Sequence, residues 1–331
     1  MSDAIRFHEY GGPEVLQLDS VEVPPPGPGE VTVRHLAVGV NFADTYFRTG
    51  LYPAALPAGL GVEASGVVEA VGPDVVEFQV GDRVTYTGSP LGAYSTERTM
   101  PVDSLIHLPD SIGFDTAAAM TMRGLTAAYL LRRIWPLQQG DTVLFHAAAG
   151  GVGLIFGQWA AALGLDAIGT VSSDAKAALA LAHGYSHVIE TGGDVVGRVK
   201  DLTNGQGVRV VYDGVGRDTF DTSMRCLGRR SLLVCLGTAS GPVPLIDPPA
   251  LVRRGSAYVT RPALADYIAD PAERAELADE LFGHVAAGRI RVEINQRYRL
   301  NEAADAHRAL ESRSTTGSSI IDLDPSLEGS R

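Results

Sequence analysis

The stretch whose residue types most clearly indicate chemistry is a glycine-rich segment over residues 142–153. Its first residues are apolar and predict a buried strand. Ala148, Gly150 and Gly153 follow at the spacing of a G-x-G-x-x-G turn, with alanine in the first place. Small residues there allow a tight turn, close approach of the main chain to a pyrophosphate, and close packing of helix on strand. Small residues at a turn are weak evidence alone, but the flanking strand and helix predict a dinucleotide-binding turn, with helix N–H groups facing the phosphates.

The end of the next predicted strand, residues 167–171, indicates which dinucleotide is bound. An NAD site usually carries an Asp or Glu there, to hold the ribose 2′-hydroxyl. This strand ends in Ser172 and Ser173, and Lys176 follows three residues later. Two hydroxyls and an ammonium suit a 2′-phosphate, so we predict NADPH. Asp174 argues against this choice, although it could also serve as a helix N-cap, and Lys176 could be an ordinary solvated lysine.

The elements that must position these residues alternate along the chain. Strand-like runs at residues 142–146, 167–171, 187–189, 208–212 and 231–236 are separated by amphipathic stretches such as 151–163 and 174–183. Alternation of this kind predicts βαβ units and a parallel sheet. The first third is β-rich, with strands expected at 31–38, 62–71 and 81–86, and helices are expected at 113–133, 271–288 and 301–312, before a last strand at 318–323. The expected fold class is therefore α/β, with a separate β-rich domain.

Composition excludes several kinds of protein. The 331 residues include 39 Asp plus Glu against 27 Lys plus Arg, and the net charge of -12 makes a nucleic-acid partner unexpected. Cys226 and Cys235, the two cysteines, lie in apolar runs and are expected to be buried fillers in a reducing compartment. Neither a leader segment nor an apolar run of membrane-spanning length is visible, so we expect a cytoplasmic protein without a membrane partner.

Short motifs spread over nearly the whole chain resemble those of one enzyme family. They include VNFADTY at 40–46, GLYP at 50–53, GLGVEASG at 59–66, GDRV at 81–84, GAY at 92–94, GLTA at 124–127, HAAAGGVG at 146–153, VYDGVG at 211–216, YVTRP at 258–262 and GSS at 317–319. In this order they make the chain similar to the quinone oxidoreductase (zeta-crystallin-like) branch of the zinc-free medium-chain dehydrogenase/reductase superfamily. Bacterial NADPH:quinone reductases are the nearest likeness.

The resemblance implies a domain arrangement and an assembly. A GroES-like catalytic domain would comprise residues 1–122 and 262–331, and a Rossmann domain with a doubly wound parallel sheet would comprise residues 123–261. The protein would be a homodimer that reduces quinones with NADPH, and the nicotinamide would lie in a cleft between the domains.

The resemblance also implies site residues. Asn41, Tyr46 and Tyr52 would face the substrate and the nicotinamide ribose. The pyrophosphate would be held by Thr126, Gly150, Gly151 and Val152, the 2′-phosphate by Ser173 and Lys176, and the nicotinamide end by Val215, Leu236 and Gly317, while Arg313 would reach the cofactor phosphates. Relatives carry a tyrosine near the adenosine phosphate where this chain has Thr191 beside Glu190, so its preference for NADPH could be looser.

No zinc site is expected. Two cysteines cannot supply a four-thiolate structural site, and the Gly-His-Glu element of zinc enzymes is Gly61-Val62-Glu63 here. The position of the first cysteine ligand falls near Asn41. His146, at the strand end beside the glycine turn, is expected to be packed or hydrogen-bonded rather than a ligand.

Without a metal, polarisation of the carbonyl must come from hydrogen-bond donors or is not needed, since an electron-poor quinone ring requires little of it. Tyr46 and Tyr52 are candidate donors, Asn41 could orient the amide or ribose, and Arg261 could add positive charge. Each has a plainer interpretation: the tyrosines as aromatic lining, Arg261 as a hinge residue, and Asp44 as a partner of a base or a cap of a helix at 42–48. No dedicated proton donor is indicated. A reductase of α,β-unsaturated carbonyls and a non-catalytic NADPH- or RNA-binding protein remain the alternatives.

Overall fold

The computed structural model describes residues 1–88, 90–312 and 314–323. The strands are β1 (Ser2–Phe7), β2 (Leu16–Val21), β3 (Glu30–Val40), β4 (Ala58–Gly59), β5 (Glu63–Val71), β6 (Arg83–Thr87), β7 (Glu97–Pro101), β8 (Leu105–His107), β9 (Thr142–Phe145), β10 (Asp166–Val171), β11 (His187–Glu190), β12 (Val208–Asp213), β13 (Leu227–Cys235), β14 (Tyr258–Thr260), β15 (Ile294–Tyr298) and β16 (Ser318–Asp322). The α-helices are α1 (Phe42–Arg48), α2 (Phe114–Arg132), α3 (Gly151–Ala162), α4 (Asp174–Ala182), α5 (Val195–Leu202), α6 (Phe220–Cys226), α7 (Pro248–Arg253), α8 (Leu264–Tyr267), α9 (Pro271–Ala286) and α10 (Ala303–Glu311).

The first of two compact units comprises residues 1–123, 278–286 and 292–331. Its main sheet has the order β15-β16-β3-β5-β6-β8, with β7 also paired to β3, and a smaller sheet has the order β2-β1-β4. Strand β3 is long and rich in β-branched residues, and it occupies the middle of the main sheet. Apolar side chains such as Val33, Leu60 and Val84 fill the core. This unit is the predicted β-rich domain, and both ends of the chain contribute to it.

The second unit comprises residues 124–277 and 287–291 and contains the six-stranded sheet β11-β10-β9-β12-β13-β14. All its strand pairs are parallel. Strand β9 lies at the centre, where the order reverses from β10 and β11 on one side to β12, β13 and β14 on the other. In sheets of this kind ligands bind beyond the carboxyl ends of the strands at the point of reversal. The glycine turn after β9 therefore lies where a nucleotide site is expected.

The sequence predicted the class of most elements correctly. The five strand-like runs of the second unit are β9 to β13, and the expected parallel Rossmann sheet is confirmed. Sequence patterns missed seven strands, most of which are short or carry little alternation: β1, β2, β4, β7, β8, β14 and β15. Residues 262–277 lie with the second unit, while the domain boundaries expected from the resemblance stay a prediction.

The cysteines behave as predicted fillers. Cys226 and Cys235 are both free and buried in the second unit. Burial raises the pKa of Cys226 to about 12 and that of Cys235 to about 11, so neither thiol is a ready nucleophile.

Candidate functional site

The turn after β9 has the geometry of a phosphate-binding turn. Ala147 adopts a left-handed conformation with φ of 58°, and Gly150 is the N-cap of α3 with extended backbone. A Cβ at position 153 would lie 2.5 Å from the carbonyl oxygen of Ala148, so only glycine lets α3 approach the turn so closely. The third-glycine prediction is thus confirmed, whereas the left-handed residue is Ala147 rather than the first fingerprint position, Ala148. A non-glycine residue in this conformation costs about 1 kcal/mol or more, a strain typical of functional turns.

The N–H groups at the start of α3 are accessible to an anion. Helical hydrogen bonding begins with the Leu154 N–H, which donates to the Gly150 oxygen at 2.9 Å. The Gly150 N–H already donates to the Ala147 oxygen at 2.9 Å, so the N–H groups of residues 151–153 are those that a phosphate can use. Gly150, Gly151 and Val152 are half-buried and Ala147 is exposed, whereas Ala148 and Ala149 are buried, so the start of α3 is partly open to solvent. These features fit a bound pyrophosphate.

The three residues expected at a 2′-phosphate come together at the end of β10. The Ser173 hydroxyl caps α4 by accepting a hydrogen bond from the Lys176 main-chain N–H at 3.4 Å. The Lys176 Nζ lies 3.4 Å from the Ser172 Oγ. Both serines are exposed. The alternative that Asp174 caps the helix is wrong: Ser173 has the extended backbone of a cap, and Asp174 is the first helical residue.

Thr191 lies beside this cluster. It follows β11, and its N–H donates to the Val171 oxygen at 2.8 Å, next to Ser172. Thr191 and His146 also line a cavity of about 190 Å³, together with Arg225 from α6. Arg225 is 3.6 Å from Asp221 and half exposed. A cationic side chain therefore borders the same cavity as Thr191, the residue that stands where relatives carry a tyrosine.

Asp213, a residue that sequence reasoning did not select, organises the ends of β9 and β12. Its Oδ1 accepts hydrogen bonds from the N–H groups of Val215 and Gly216, each at 2.9 Å, and its carboxylate also accepts from Thr219. The Leu236 N–H donates to the Asp213 main-chain oxygen at 2.8 Å. Val215 and Leu236, both predicted at the nicotinamide end, are therefore held around one buried residue.

His146 is a hydrogen-bonded histidine, as predicted. Its Nδ1 lies 2.9 Å from the Thr170 hydroxyl and its Nε2 lies 3.0 Å from the Ser223 hydroxyl. Because Ser223 donates to Asp213 at 2.6 Å, the Nε2 must carry the hydrogen and the Nδ1 must accept from Thr170. Burial lowers the pKa of His146, with Asp213 acting in the opposite direction, and the ring is neutral. Within residues 1–88, 90–312 and 314–323, no group of His, Cys, Asp and Glu side chains is arranged to hold a metal ion.

The candidate substrate residues of the first unit surround α1. Asn41 is the N-cap residue of the helix, Tyr46 lies within it, and Tyr52 follows it. The Tyr52 N–H donates to the main-chain oxygen of Tyr46 at 2.9 Å, and the two rings meet edge to face with centroids 5.2 Å apart. Both rings are half-buried, so the two predicted hydroxyl donors share one region of the surface.

A buried polar chain fixes both ends of α1. The Asp44 carboxylate accepts from the Asn41 N–H at 2.8 Å and from the Tyr94 hydroxyl at 3.0 Å. The Tyr94 hydroxyl also lies 3.2 Å from the His307 Nε2. This confirms that Asp44 caps the helix. Burial raises the pKa of Asp44 to about 7.

Arg48 secures the other end of the helix. It is 1% exposed, and its two terminal nitrogens donate to the Glu311 carboxylate at 2.6 and 3.1 Å. Its Nη1 also lies 3.3 Å from the His307 Nδ1. Burial and the charge of Arg48 lower the pKa of His307 to about 3, so the imidazole is neutral. Sequence patterns did not indicate this network.

The remaining predicted residues lie at separate places. Thr126 is half-buried in α2, and Gly317, with φ of 61°, immediately precedes β16. Arg261 is exposed, and its Nη1 donates to the Cys235 oxygen at the end of β13 at 2.9 Å. Arg313 lies outside the described residues. Asn41, Tyr46, Tyr52 and Gly317 belong to the first unit, and the other described site residues belong to the second.

Comparisons with known proteins agree with this architecture. Residues 27–110 match the alcohol dehydrogenase GroES-like domain, and residues 151–279 match the zinc-binding dehydrogenase family. A GroES-like unit joined to a parallel sheet with a dinucleotide turn defines a medium-chain dehydrogenase/reductase.

Full-length relatives narrow the class. A quinone oxidoreductase from Pseudomonas aeruginosa is 53% identical over 97% of this chain and 99% of its own length. The crystal structure of Escherichia coli quinone oxidoreductase complexed with NADPH matches with a TM-score of 0.95 and 47% identity, over 97% of this chain and 100% of that chain. A 2-haloacrylate reductase from a Burkholderia species is 42% identical over 96% of this chain and 98% of its length. The chain belongs to the quinone oxidoreductase family, as its motifs predicted.

Proposed function

We propose that this chain is an oxidoreductase that reduces quinones with NADPH. The observation that carries the proposal is the turn at residues 147–152, whose residues 150–152 are partly exposed, on the same sheet edge as the Ser172, Ser173 and Lys176 cluster. Together they provide main-chain donors for a pyrophosphate and hydroxyl and ammonium groups for a 2′-phosphate. The membership of the quinone oxidoreductase family, with a relative solved in complex with NADPH, supports the same cofactor.

The proposed contacts follow from these features. Gly150, Gly151 and Val152, with Thr126, hold the pyrophosphate, and Ser173 and Lys176 hold the 2′-phosphate. The nicotinamide end is contacted by Val215, Leu236, Gly317 and Asn41, and Arg313 reaches the phosphates. The Asp213 hydrogen bonds support this assignment because they fix the loop that carries Val215.

The reaction converts a quinone, a hydride and a proton into a hydroquinone. NADPH supplies the hydride when bound, and the protein supplies orientation and hydrogen-bond donors. We assign the hydroxyls of Tyr46 and Tyr52 to donate to the oxygen that gains negative charge, with Arg261 adding positive charge. Solvent supplies the proton. We further propose that no metal takes part, since Val62 replaces the histidine of the zinc element and Asn41 stands near a ligand cysteine position.

We also propose that the protein is a cytoplasmic homodimer. Strand β14 is the edge of the parallel sheet, and Tyr258 on it is 52% exposed. Leu245 and Val252, in the preceding segment, are exposed as well. An apolar sheet edge of this kind is typical of a surface that another chain covers. None of the helices formed by the described residues combines the length and apolar character that a membrane span requires. A molar mass in solution equal to one chain would contradict the dimer.

The function is tested by steady-state oxidation of NADPH with a series of benzoquinones and, in parallel, with 2-haloacrylates and other enones. Rapid turnover of quinones is expected. Enone reduction is the second candidate because of the 2-haloacrylate reductase relative, and good enone turnover beside negligible quinone turnover would establish it instead. NADPH binding without any turnover, together with salt-sensitive retention of RNA, would favour the non-catalytic alternative, which the net charge of -12 opposes.

A further inference from the structure

The Glu63 carboxylate lies behind Asn41 in the interior of the first unit. Glu63 begins β5, 22 residues after Asn41, and its side chain is fully buried. The Asn41 Nδ2 donates to Glu63 Oε2 at 2.7 Å, and the Met122 main-chain N–H donates to Oε1 at 2.6 Å. The Arg123 Nη1 lies 3.5 Å from Oε2. Three donors therefore meet one buried carboxylate.

The surrounding backbone is shaped to accept this carboxylate. Gly39 precedes Val40 and Asn41 on β3, and a Cβ at position 39 would collide with Glu63 Oε2 and with the main-chain oxygen of Ala118. Glycine at this position leaves the space that the Glu63 side chain occupies. The contact between Glu63 and Asn41 is thus built into the packing of β3, β5 and α2.

The hydrogen bonds determine which end of the Asn41 amide faces inward. A carboxylate only accepts, so Glu63 requires the amide nitrogen of Asn41, and a flipped amide would set two oxygens against each other. Burial raises the pKa of Glu63, and Arg123, the Asn41 amide and the Met122 N–H oppose that change by stabilising the anion. The Asn41 N–H is held by Asp44, which leaves the main chain no freedom to compensate. The Asn41 side chain also faces the Asp44 main-chain N–H in a capping box, and the second lone pair of the Asn41 Oδ1 can accept from a ligand.

We propose that Glu63 is a positioning residue that orients the Asn41 amide so that its oxygen accepts a hydrogen bond from NADPH. The inference rests on the proposed function, in which Asn41 contacts the cofactor. Ribose hydroxyls and the nicotinamide carboxamide both present donors, so an oxygen is the complementary atom. Glu63 itself touches neither cofactor nor substrate.

A double-mutant cycle on NADPH affinity tests this role. The dissociation constant is measured by fluorescence titration, without quinone, for the wild type, Glu63→Gln, Asn41→Ala and the double variant. A glutamine has one oxygen for three donors, so it releases the amide, and we expect Glu63→Gln to weaken NADPH by about tenfold. In the Asn41→Ala background the same substitution should change affinity little, because no amide remains to be oriented. Equal weakening in both backgrounds would overturn the proposal.

Two further measurements separate positioning from folding. Thermal unfolding of each variant reports the stability lost when Arg123 loses its charged partner, and Glu69→Gln, on the exposed part of β5, is the matched control. In kinetics, the KM for NADPH should rise in Glu63→Gln without a matching fall in kcat at saturating NADPH.

A second pair of variants keeps the test open if Glu63→Gln does not fold alone. Asn41→Asp cannot donate to Glu63 and should bind NADPH at least about tenfold more weakly. Adding Glu63→Gln restores the hydrogen bond with its direction reversed, because the glutamine amide at position 63 donates to the aspartate at position 41. This second substitution should recover most of the lost affinity, and no recovery would contradict the proposal. A wild-type protein that binds no NADPH would refute the proposed function. Normal wild-type binding that Asn41→Ala leaves unchanged would refute only the contact and, with it, the role of Glu63.

Discussion

Replacing Asp44 by asparagine should make the protein more stable at neutral and alkaline pH. Asp44 is fully buried, and one of its oxygens, Oδ1, has no hydrogen-bond partner. Burial raises its pKa from 3.8 to about 7, and the nearby Glu63 acts in the same direction, while the Asn41 N–H, the Tyr94 hydroxyl and Arg123 act against them. An asparagine keeps an oxygen for the Asn41 and Tyr94 donors and removes the charge.

The magnitude follows from linkage. Between pH 3.8 and about 7 the folded protein holds a proton on Asp44 that the unfolded chain has released, so this group's contribution to stability falls as pH rises. Since one pH unit of pKa difference is worth 1.36 kcal/mol, the whole interval corresponds to about 4 kcal/mol. The contribution of Asp44 to the free energy of unfolding is intact below pH 4 and fully lost above pH 7. His307 has a lowered pKa and acts in the opposite sense, so the wild-type curve alone would not show the effect.

The assay is urea unfolding of the wild type and Asp44→Asn at intervals from pH 4.5 to 8. The variant's advantage in free energy of unfolding should grow with pH and level off above pH 7. Asp110→Asn, which removes an exposed carboxylate, controls for the change in net charge. A difference between wild type and Asp44→Asn that does not vary with pH would refute the reasoning, because Asp44 would then be ionised at every pH.

Three further predictions concern the cofactor site, the packing of α3 and the buried ion pair at the end of α1. Lys176→Ala should weaken the affinity for NADPH by about tenfold or more and the affinity for NADH little. Titrations with both cofactors measure this, with Lys200→Ala as the control. Equal losses of affinity for the two cofactors would contradict the 2′-phosphate assignment. Gly153→Ala places a Cβ 2.5 Å from the Ala148 oxygen and should lower the free energy of unfolding by about 1–3 kcal/mol and weaken NADPH. Gly283→Ala, whose Cβ meets nothing within 4 Å in α9, should instead stabilise by about 0.5–1 kcal/mol. Arg48→Met leaves Glu311 without its buried partner and should lower the free energy of unfolding by about 3–5 kcal/mol. Arg308→Met, which removes one side of an exposed ion pair, should lower it by under about 1 kcal/mol. Similar losses in chemical unfolding of the two variants would show that burial does not distinguish the pairs.

The buried polar chain from Asp44 through Tyr94 and His307 to Arg48 fixes the segment that carries Asn41, Tyr46 and Tyr52. Asp44 anchors the start of α1, and Arg48 anchors its end. Because both anchors are buried, their hydrogen bonds are stronger than surface contacts and costly to break. A substrate-binding segment held at both ends favours precise placement of the two tyrosine hydroxyls.

Local features of the site could be predicted from sequence. The turn from β9 into α3, and the cluster of Ser172, Ser173 and Lys176 after β10, each lie within a dozen residues or fewer. Their geometry is set by backbone preferences, helix capping and small side chains, which a short stretch of sequence expresses directly. The alternation of apolar runs likewise determined the parallel sheet, and the ordered motifs determined the family.

Only the tertiary structure decided which distant polar residues meet. Asn41 and Glu63 are 22 residues apart, Tyr94 and His307 are 213 apart, and Asp213 reaches His146 through Ser223. Strand order and register bring these side chains together, and neither periodicity nor composition says which buried polar group a given residue will face. A lone Asp or Glu in an apolar run looks the same in sequence whether it is paired with an arginine, an amide or nothing. The nucleotide turn could therefore be predicted from the sequence. The buried carboxylates that contact Asn41 and Val215, those of Glu63 and Asp213, were identified only from the tertiary structure.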